Sequence, residues 1–278
     1  MFSTSLQTRS SRPGLTPTGS SSASTVRSLV DDVGAPWSPD VPSLAYSCSK
    51  TFTSAAVGIA VNRGAFGYDD TLADLWPQAC TANTGPVAKS MTVRNALSMS
   101  TGHSPEQLLE PTLVSRRLPD LNTARILLAT EPEGRPGIDF AYNNLATWML
   151  SRLVAQHTGE DVDTIITKEV LDPIGAGPHT WVRDADGIPM GFSGLHIDAE
   201  DLSLFGQLLL DDGVHEGARL LPEEWIRQHR VRQVTCDSET DPEWGMAGRH
   251  GCQAMGTVWT GPSASMSSSF PRLTPSSL

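Results

Sequence analysis

The chain is poor in cysteine, in long apolar runs and in positive charge, and each shortage closes a class of function. Its four cysteines, Cys48, Cys80, Cys236 and Cys252, form no close C-x-x-C pair, so neither a zinc site nor a disulfide framework is expected. No apolar run approaches the roughly 18 residues that span a bilayer. The N-terminus carries Arg9, Arg12 and Arg27 but lacks the apolar core of a secretory signal, so the expected address is cytoplasmic, with no membrane partner. A formal net charge of -11 on 278 residues opposes nucleic acid or an anionic membrane surface as the main partner. No cofactor and no metal are expected, and no internal repeat is visible. Acidic residues are missing altogether from residues 1–30, which hold fourteen Ser or Thr. Such a stretch buries little surface and reads as mostly disordered over 1–36, with Val26 to Val30 as its one candidate strand. The remainder, in a chain that is 38% hydrophobic and 18% charged, is long enough for a sizeable buried core.

Within that remainder, chemistry concentrates first at Ser47-Cys48-Ser49-Lys50. Ser47 and Lys50 form an S-x-x-K pair at the start of an apolar segment, Thr53 to Val61. If the segment is helical, the two lie on one face of its first turn. The hydroxyl then sits beside an amine and near the partly positive end of a helix, which favours a nucleophile. The plainer reading of these four residues is an N-capping serine and a solvated lysine. Phe52, Ala56, Ile59 and Ala60 recur at helical spacing and Gly64 follows as a C-cap, so the segment reads as a helix apolar nearly all round and buried at a domain centre.

The chain beyond it is helical in pattern. Leu72 to Pro77 reads as a short helix stopped by proline, and Met91 to His103 as a helix capped by Thr92 and ending at Gly102. His103 reads as a loop histidine bonded to backbone. Leu121 to Thr130 is a further helix. Glu131-Pro132-Glu133-Gly134 is a turn with solvated glutamates. Phe140-Ala141-Tyr142-Asn143-Asn144 leads into a helix from Leu145 to Ala155. Out of context, Asn144 is its N-cap and Tyr142 a packing aromatic. Helices follow at Val162 to Leu171, at Asp198 to Leu210 behind the glycine-rich Gly191 to Ile197, and from Pro222 onward. After Asp241 the legible pattern decays.

Taken in order, Ser47-x-x-Lys50, the Met91 to His103 box and Tyr142-x-Asn144 resemble the serine beta-lactamase-like, penicillin-recognising family. The resemblance is in particular to its class C beta-lactamase, D-alanyl-D-alanine carboxypeptidase and esterase branch. The helix box is similar to that branch's I-T-V-R-H-L-L-S-M-T-S-G signature. Gly194 to Leu210 and Gly213 to Trp225 resemble its G-L-x-x-x-x-x-D-L-A-R-F-G and G-x-x-L-L-P-x-x-W segments. The resemblance covers roughly Trp37 to Trp244. It implies an α/β (α+β) fold, an antiparallel sheet flanked by helices plus a mostly helical lobe, with the site between them. It also implies a serine hydrolase acting on a small-molecule amide or ester: a beta-lactam, a D-Ala-D-Ala peptide or a short-chain ester. Ser47 would form an acyl-enzyme, Lys50 would accept or relay its proton, Tyr142 would share that role, and Asn144 would orient the lysine or the substrate amide.

The chain departs from the family at both ends. A third box, K-T-G or H-x-G on a strand facing the serine, has only imperfect candidates in Arg249-His250-Gly251 and Trp259-Thr260-Gly261. That strand supplies an oxyanion-hole N–H, and losing one such donor costs about 10²–10³ in rate. Back-translated from Gly251 and read one base over, permitted codons yield L-P-G-D-G-H-G-V-D-G-A-F-G-Q-Y-V-V-V-L-P-E, a glycine-rich turn followed by a strand. The expectation is therefore a β-lactamase-like domain over 37–250 and an atypical, out-of-frame tail over 251–278, which the coding DNA would verify. With strands lacking at both ends, the sheet is expected to be incomplete, its edges prone to aggregation, and hydrolysis weak or absent. The rival to a serine hydrolase is accordingly a non-catalytic member or fragment that at most binds a ligand.

Overall fold

Eleven of the fourteen residues of helix α1 (Ser49–Asn62) are buried, and the rest of the fold is arranged to bury them. The computed structural model describes residues 41–108, 119–231, 233 and 234. All of these lie in one unit, Val33–Leu278. Val26 to Val30, both third-box candidates and the tail 251–278 fall outside the described residues.

The composition of α1 explains how it can be covered so fully. Ala55, Ala56, Gly58 and Ala60 leave little side chain, so neighbouring helices approach closely, while Phe52 stacks on Phe205 with ring centroids 4.1 Å apart. Helices α6 (Asn144–Thr158), α7 (Val162–Ile166) and α9 (Glu223–Arg230) pack around it. At Gly58 the approach is tightest, since a Cβ there would lie 2.4 Å from Trp225 Cγ and Cδ1. Trp225 Nε1 also donates to Ser54 Oγ at 3.1 Å, fixing the indole over the glycine. Gly58→Ala is expected to destabilise the fold by about 1–3 kcal/mol through overpacking. A thermal melt unchanged from wild type would mean that the indole does not occupy that position.

Between α1 and α6 run α2 (Leu72–Leu75), α3 (Pro86–Lys89), α4 (Val93–Leu97) and α5 (Leu121–Ala129). Pro77 ends the run after α2 and opens a 3₁₀ turn, Pro77–Ala79, as its ring forbids continuation. Helix α4 is shorter than its sequence pattern suggests. Thr92 and Asn95 form a reciprocal capping box, but the helix stops after Leu97 rather than at Gly102. Ser98 Oγ turns back to the Arg94 carbonyl at 2.8 Å, and Met99 adopts a left-handed φ of 52°. The residues from Met99 to Gly102 are used instead for tertiary bonds. Glu131 is also not merely solvated: its carboxylate accepts the N–H groups of Val87 and Ala88 at 2.8 and 3.1 Å, holding the first turn of α3.

The larger sheet among the described residues is a small antiparallel one of order β1-β3-β2, with β1 (Ser43–Leu44), β2 (Thr180–Trp181) and β3 (Leu195–Ile197). Ser43 pairs with Ile197, and Trp181 with Leu195. Helix α8 (Ala199–Leu210), capped by Asp198 through the Asp201 N–H as its sequence predicts, is followed by a hairpin of β4 (Val214–His215) and β5 (Ala218–Arg219). The fold is thus mixed α/β, many helices around a small antiparallel sheet. Among the described residues no helix is long and apolar enough to cross a membrane.

Candidate active site

Strand β1 delivers the chain into a tight turn just before α1. Ala45 N–H still reaches across to the Leu195 carbonyl at 2.8 Å, but its own carbonyl accepts from Cys48 N–H at 3.0 Å and closes a 3₁₀ turn over Tyr46–Cys48. Tyr46 is held at a φ of 45°, a left-handed conformation that costs a residue bearing a Cβ about 1–2 kcal/mol. Ser47 is therefore neither the N-cap of α1 nor part of its regular turns. The N-cap is Cys48, which makes no side-chain capping bond.

This turn brings the serine and lysine together with an aromatic from far along the chain. Lys50 Nζ donates to Ser47 Oγ at 3.0 Å, and Ser47 Oγ shares a 2.7 Å hydrogen bond with Tyr142 Oη, 95 positions away. The ammonium lies 4.8 Å from the Tyr142 ring centroid. Lys50 is not solvated: it is only 4% exposed. Burial pulls its pKa down from 10.5 to about 7, against a smaller upward pull from Cys48. Tyr142 is pushed the other way. Burial raises its phenol pKa, opposed by the bond to Ser47 and assisted by Cys48. Burial thus favours the uncharged form of both groups, the phenol and the amine.

The Met91 to His103 stretch supports Tyr142 from behind. Ala141 N–H donates to the Met99 carbonyl at 3.0 Å, and Gly137 and Gly134 donate to the carbonyls of Ser100 and Gly102. Asn143 Nδ2 donates to Thr101 Oγ1 at 3.3 Å. His103 is buried and bonds to Thr101 Oγ1 and the Thr130 carbonyl, in keeping with the backbone-bonded reading. A carbonyl only accepts, so Nε2 carries the hydrogen and Nδ1 receives the Thr101 hydroxyl. Burial keeps the ring neutral by lowering its pKa. This box is scaffold for the tyrosine.

The N-cap of α6 is Asn143, not Asn144: Asn143 Oδ1 accepts from Ala146 N–H at 3.1 Å. Asn144 begins the helix, and its Oδ1 is buried without a hydrogen-bond partner. The two acceptors of Lys50 are Ser47 Oγ and the Phe192 carbonyl, the latter at 2.8 Å. Phe192 is a site residue that sequence reasoning missed. Its loop is fastened by Ser151 Oγ to the Pro189 carbonyl at 2.7 Å and by Thr53 Oγ1 to the Gly191 carbonyl at 2.8 Å. Gly191 has a φ of 72°, and a Cβ there would come within 2.9 Å of Ser151 Cβ, so only glycine fits. The glycine-rich run was visible in sequence, but a backbone acceptor leaves no side-chain signature. Among the described residues no group of His, Cys, Asp and Glu side chains is placed to hold a metal ion.

Comparison with known proteins gives this arrangement a context. An esterase/beta-lactamase of Mycobacterium tuberculosis, LipL, is 28% identical over 160 residues, which is 56% of this chain and 33% of that protein. Among solved structures, a provisionally assigned 6-aminohexanoate-dimer hydrolase from Bacillus anthracis superposes with a TM-score of 0.60 at 22% identity, over 72% of this chain and 56% of that one. A D-stereospecific amidohydrolase from Streptomyces gives 0.56 at 17% identity, over 73% and 67% respectively. The chain thus spans about a third of the curated relative and roughly half to two-thirds of these structures, whose likeness is one of fold. The sequence model of the Beta-lactamase family matches residues 26–265, which is most of the chain. The chain therefore belongs to the beta-lactamase family, a superfamily of serine hydrolases that includes amidases and esterases.

Proposed function

We propose that this chain cleaves a small amide or ester through an acyl-enzyme on Ser47. The observation that carries the reading is the Lys50–Ser47–Tyr142 cluster, in which one hydroxyl is bonded both to a buried amine and to a phenol. Neutral Lys50 removes the Ser47 proton as Oγ attacks the substrate carbonyl. Tyr142 stays protonated and donates to the departing nitrogen or oxygen, then recovers its proton from Lys50 through the site. The Phe192 carbonyl holds the amine beside Ser47 in both charge states. Asn144 Oδ1 is left without a hydrogen-bond partner; it is buried where it stands, and in our reading its side chain turns toward the bound substrate and accepts an N–H, so an amide gains a contact that an ester does not. The oxyanion donor expected from a third box lies outside the described residues. Its loss alone would leave acylation slower by about 10²–10³, and still measurable with a reactive ester.

The pH dependence of Ser47 acylation tests this assignment of roles. Only neutral Lys50 accepts a proton, so the rate is expected to rise about tenfold per pH unit below about 7 and to level off above it. A rate indifferent to pH between 5 and 8 would remove Lys50 from the base role. In the same assay, Asn144→Leu should slow an amide by about tenfold more than its matching ester. Equal losses would deny Asn144 the contact.

A further inference from the structure

Ser49 lies between the nucleophile and the base in sequence, on the first turn of a helix whose buried face needs no hydroxyl. It is fully buried nonetheless, and both hydrogen-bonding capacities of its Oγ are used on other elements. Oγ donates to the Tyr46 carbonyl at 2.6 Å and accepts from Leu195 N–H at 3.2 Å. Each bond has a specific origin. In a continued antiparallel ladder, Leu195 and Ala45 would exchange both of their backbone bonds. Only one is made, from Ala45 N–H to the Leu195 carbonyl, since the Ala45 carbonyl has turned away to Cys48. Ser49 Oγ supplies the acceptor that the strand withdraws. Its hydrogen goes to the carbonyl of Tyr46, the residue in the left-handed conformation, whose side chain is 69% exposed and so gives the turn little packing.

We propose that Ser49 is a positioning residue for the acyl transfer: its hydroxyl locks the Tyr46 turn against β3 and so sets Ser47 Oγ within reach of both Lys50 and Tyr142. The proposal rests on the reading of Ser47 as the nucleophile. Without the hydroxyl, the buried Leu195 N–H loses its acceptor and the part-buried Tyr46 carbonyl keeps only the Ser49 backbone N–H, so one of the bonds that oppose relaxation of Tyr46 out of positive φ is gone. Ser47 then turns with the peptide that precedes it. Misplacement by about 1 Å is enough to cost on the order of 10²-fold in rate. Ser49 touches neither substrate nor the transferred proton, so binding is preserved and the acylation step is slowed.

The test is the acylation of Ser47 by a fluorophosphonate in the full chain, with the limiting rate and the half-saturating concentration measured separately. Ser49→Ala is expected to lower the limiting rate by about 10- to 100-fold and to change half-saturation by less than about twofold. Ser49→Thr, which keeps the hydroxyl, should recover most of the rate. A Ser49→Ala rate within twofold of wild type, or a Ser49→Thr rate no better than that of Ser49→Ala, would overturn the proposal. If Ser49→Ala does not fold, Ser49→Cys takes its place, with nearly the same volume and much weaker bonds, and the same fall is expected. If wild-type Ser47 takes no label at all, the proposed function fails, and Ser49 is judged by two other measurements. Amide exchange at Leu195 should accelerate in the variant, and its crystal structure should show Ser47 Oγ beyond hydrogen-bond reach of Tyr142 Oη. Unchanged exchange and an unchanged 2.7 Å contact would contradict the positioning role.

Discussion

Lys50→Met is expected to lower the rate of Ser47 acylation by about 10²–10⁴-fold and, at the same time, to make the protein more stable. The loss follows from removing the amine that is bonded to Ser47. The gain follows from the same burial that makes the amine useful. A pKa brought from 10.5 down to about 7 corresponds to at most roughly 5 kcal/mol against the charged form. Methionine fills a similar volume without a charge, and about 2–4 kcal/mol should be recovered once the two lost hydrogen bonds are set against it. The sign fixes where the difference appears. The folded-state pKa lies below the unfolded one, so between pH 7 and 10.5 the unfolded chain binds more protons and wild type gains stability as pH rises. The advantage of Lys50→Met is therefore full below about pH 7 and shrinks toward pH 10. Denaturant unfolding at pH 6.5 and 9.5 checks it, and a variant less stable than wild type at pH 6.5 would contradict the account.

Tyr142→Phe should separate leaving groups. The phenol is bonded to Ser47 Oγ, and its raised pKa keeps its proton in place for donation. An alkyl ester or anilide needs that proton, so its acylation rate is expected to fall by about 10²–10³-fold. A nitrophenyl ester leaves as a stable anion and should lose no more than about tenfold. Tyr142 is 38% exposed, so the melting temperature should move little. Equal losses on both substrates would place Tyr142 in orientation rather than proton transfer.

The parts of the site that are local in sequence are legible from the sequence alone. Ser47 and Lys50 are three residues apart at the head of an apolar stretch, and no tertiary knowledge is needed to put them side by side. Tyr142 needed more. By itself it was a packing aromatic, and only the order of several boxes along the chain joined it to Ser47. Asn143 and Asn144 are chemically identical neighbours at a helix start, so the sequence could not say which one caps and which keeps a free acceptor. The early end of α4 was hidden for a different reason. The helix breaks at Ser98 and Met99, and the carbonyls of Met99, Ser100 and Gly102 accept bonds from residues 134–141 instead, contacts that no helical periodicity encodes. The Phe192 carbonyl and the Ser49 hydroxyl were missed because one is backbone and the other resembles any serine in a helix's first turn. The expected incomplete sheet and weak hydrolysis depend on strands and a third box that fall outside the described residues, whereas the small sheet that is described positions Ser47 through Leu195.

The most direct test of the central claim is the intact mass of the protein after incubation with a fluorophosphonate at pH 8, followed by peptide mapping. The account predicts one adduct per chain, carried on the peptide containing Ser47 and absent from Ser47→Ala. An adduct mapped to another residue, or none on a chain that still melts cooperatively, would contradict it.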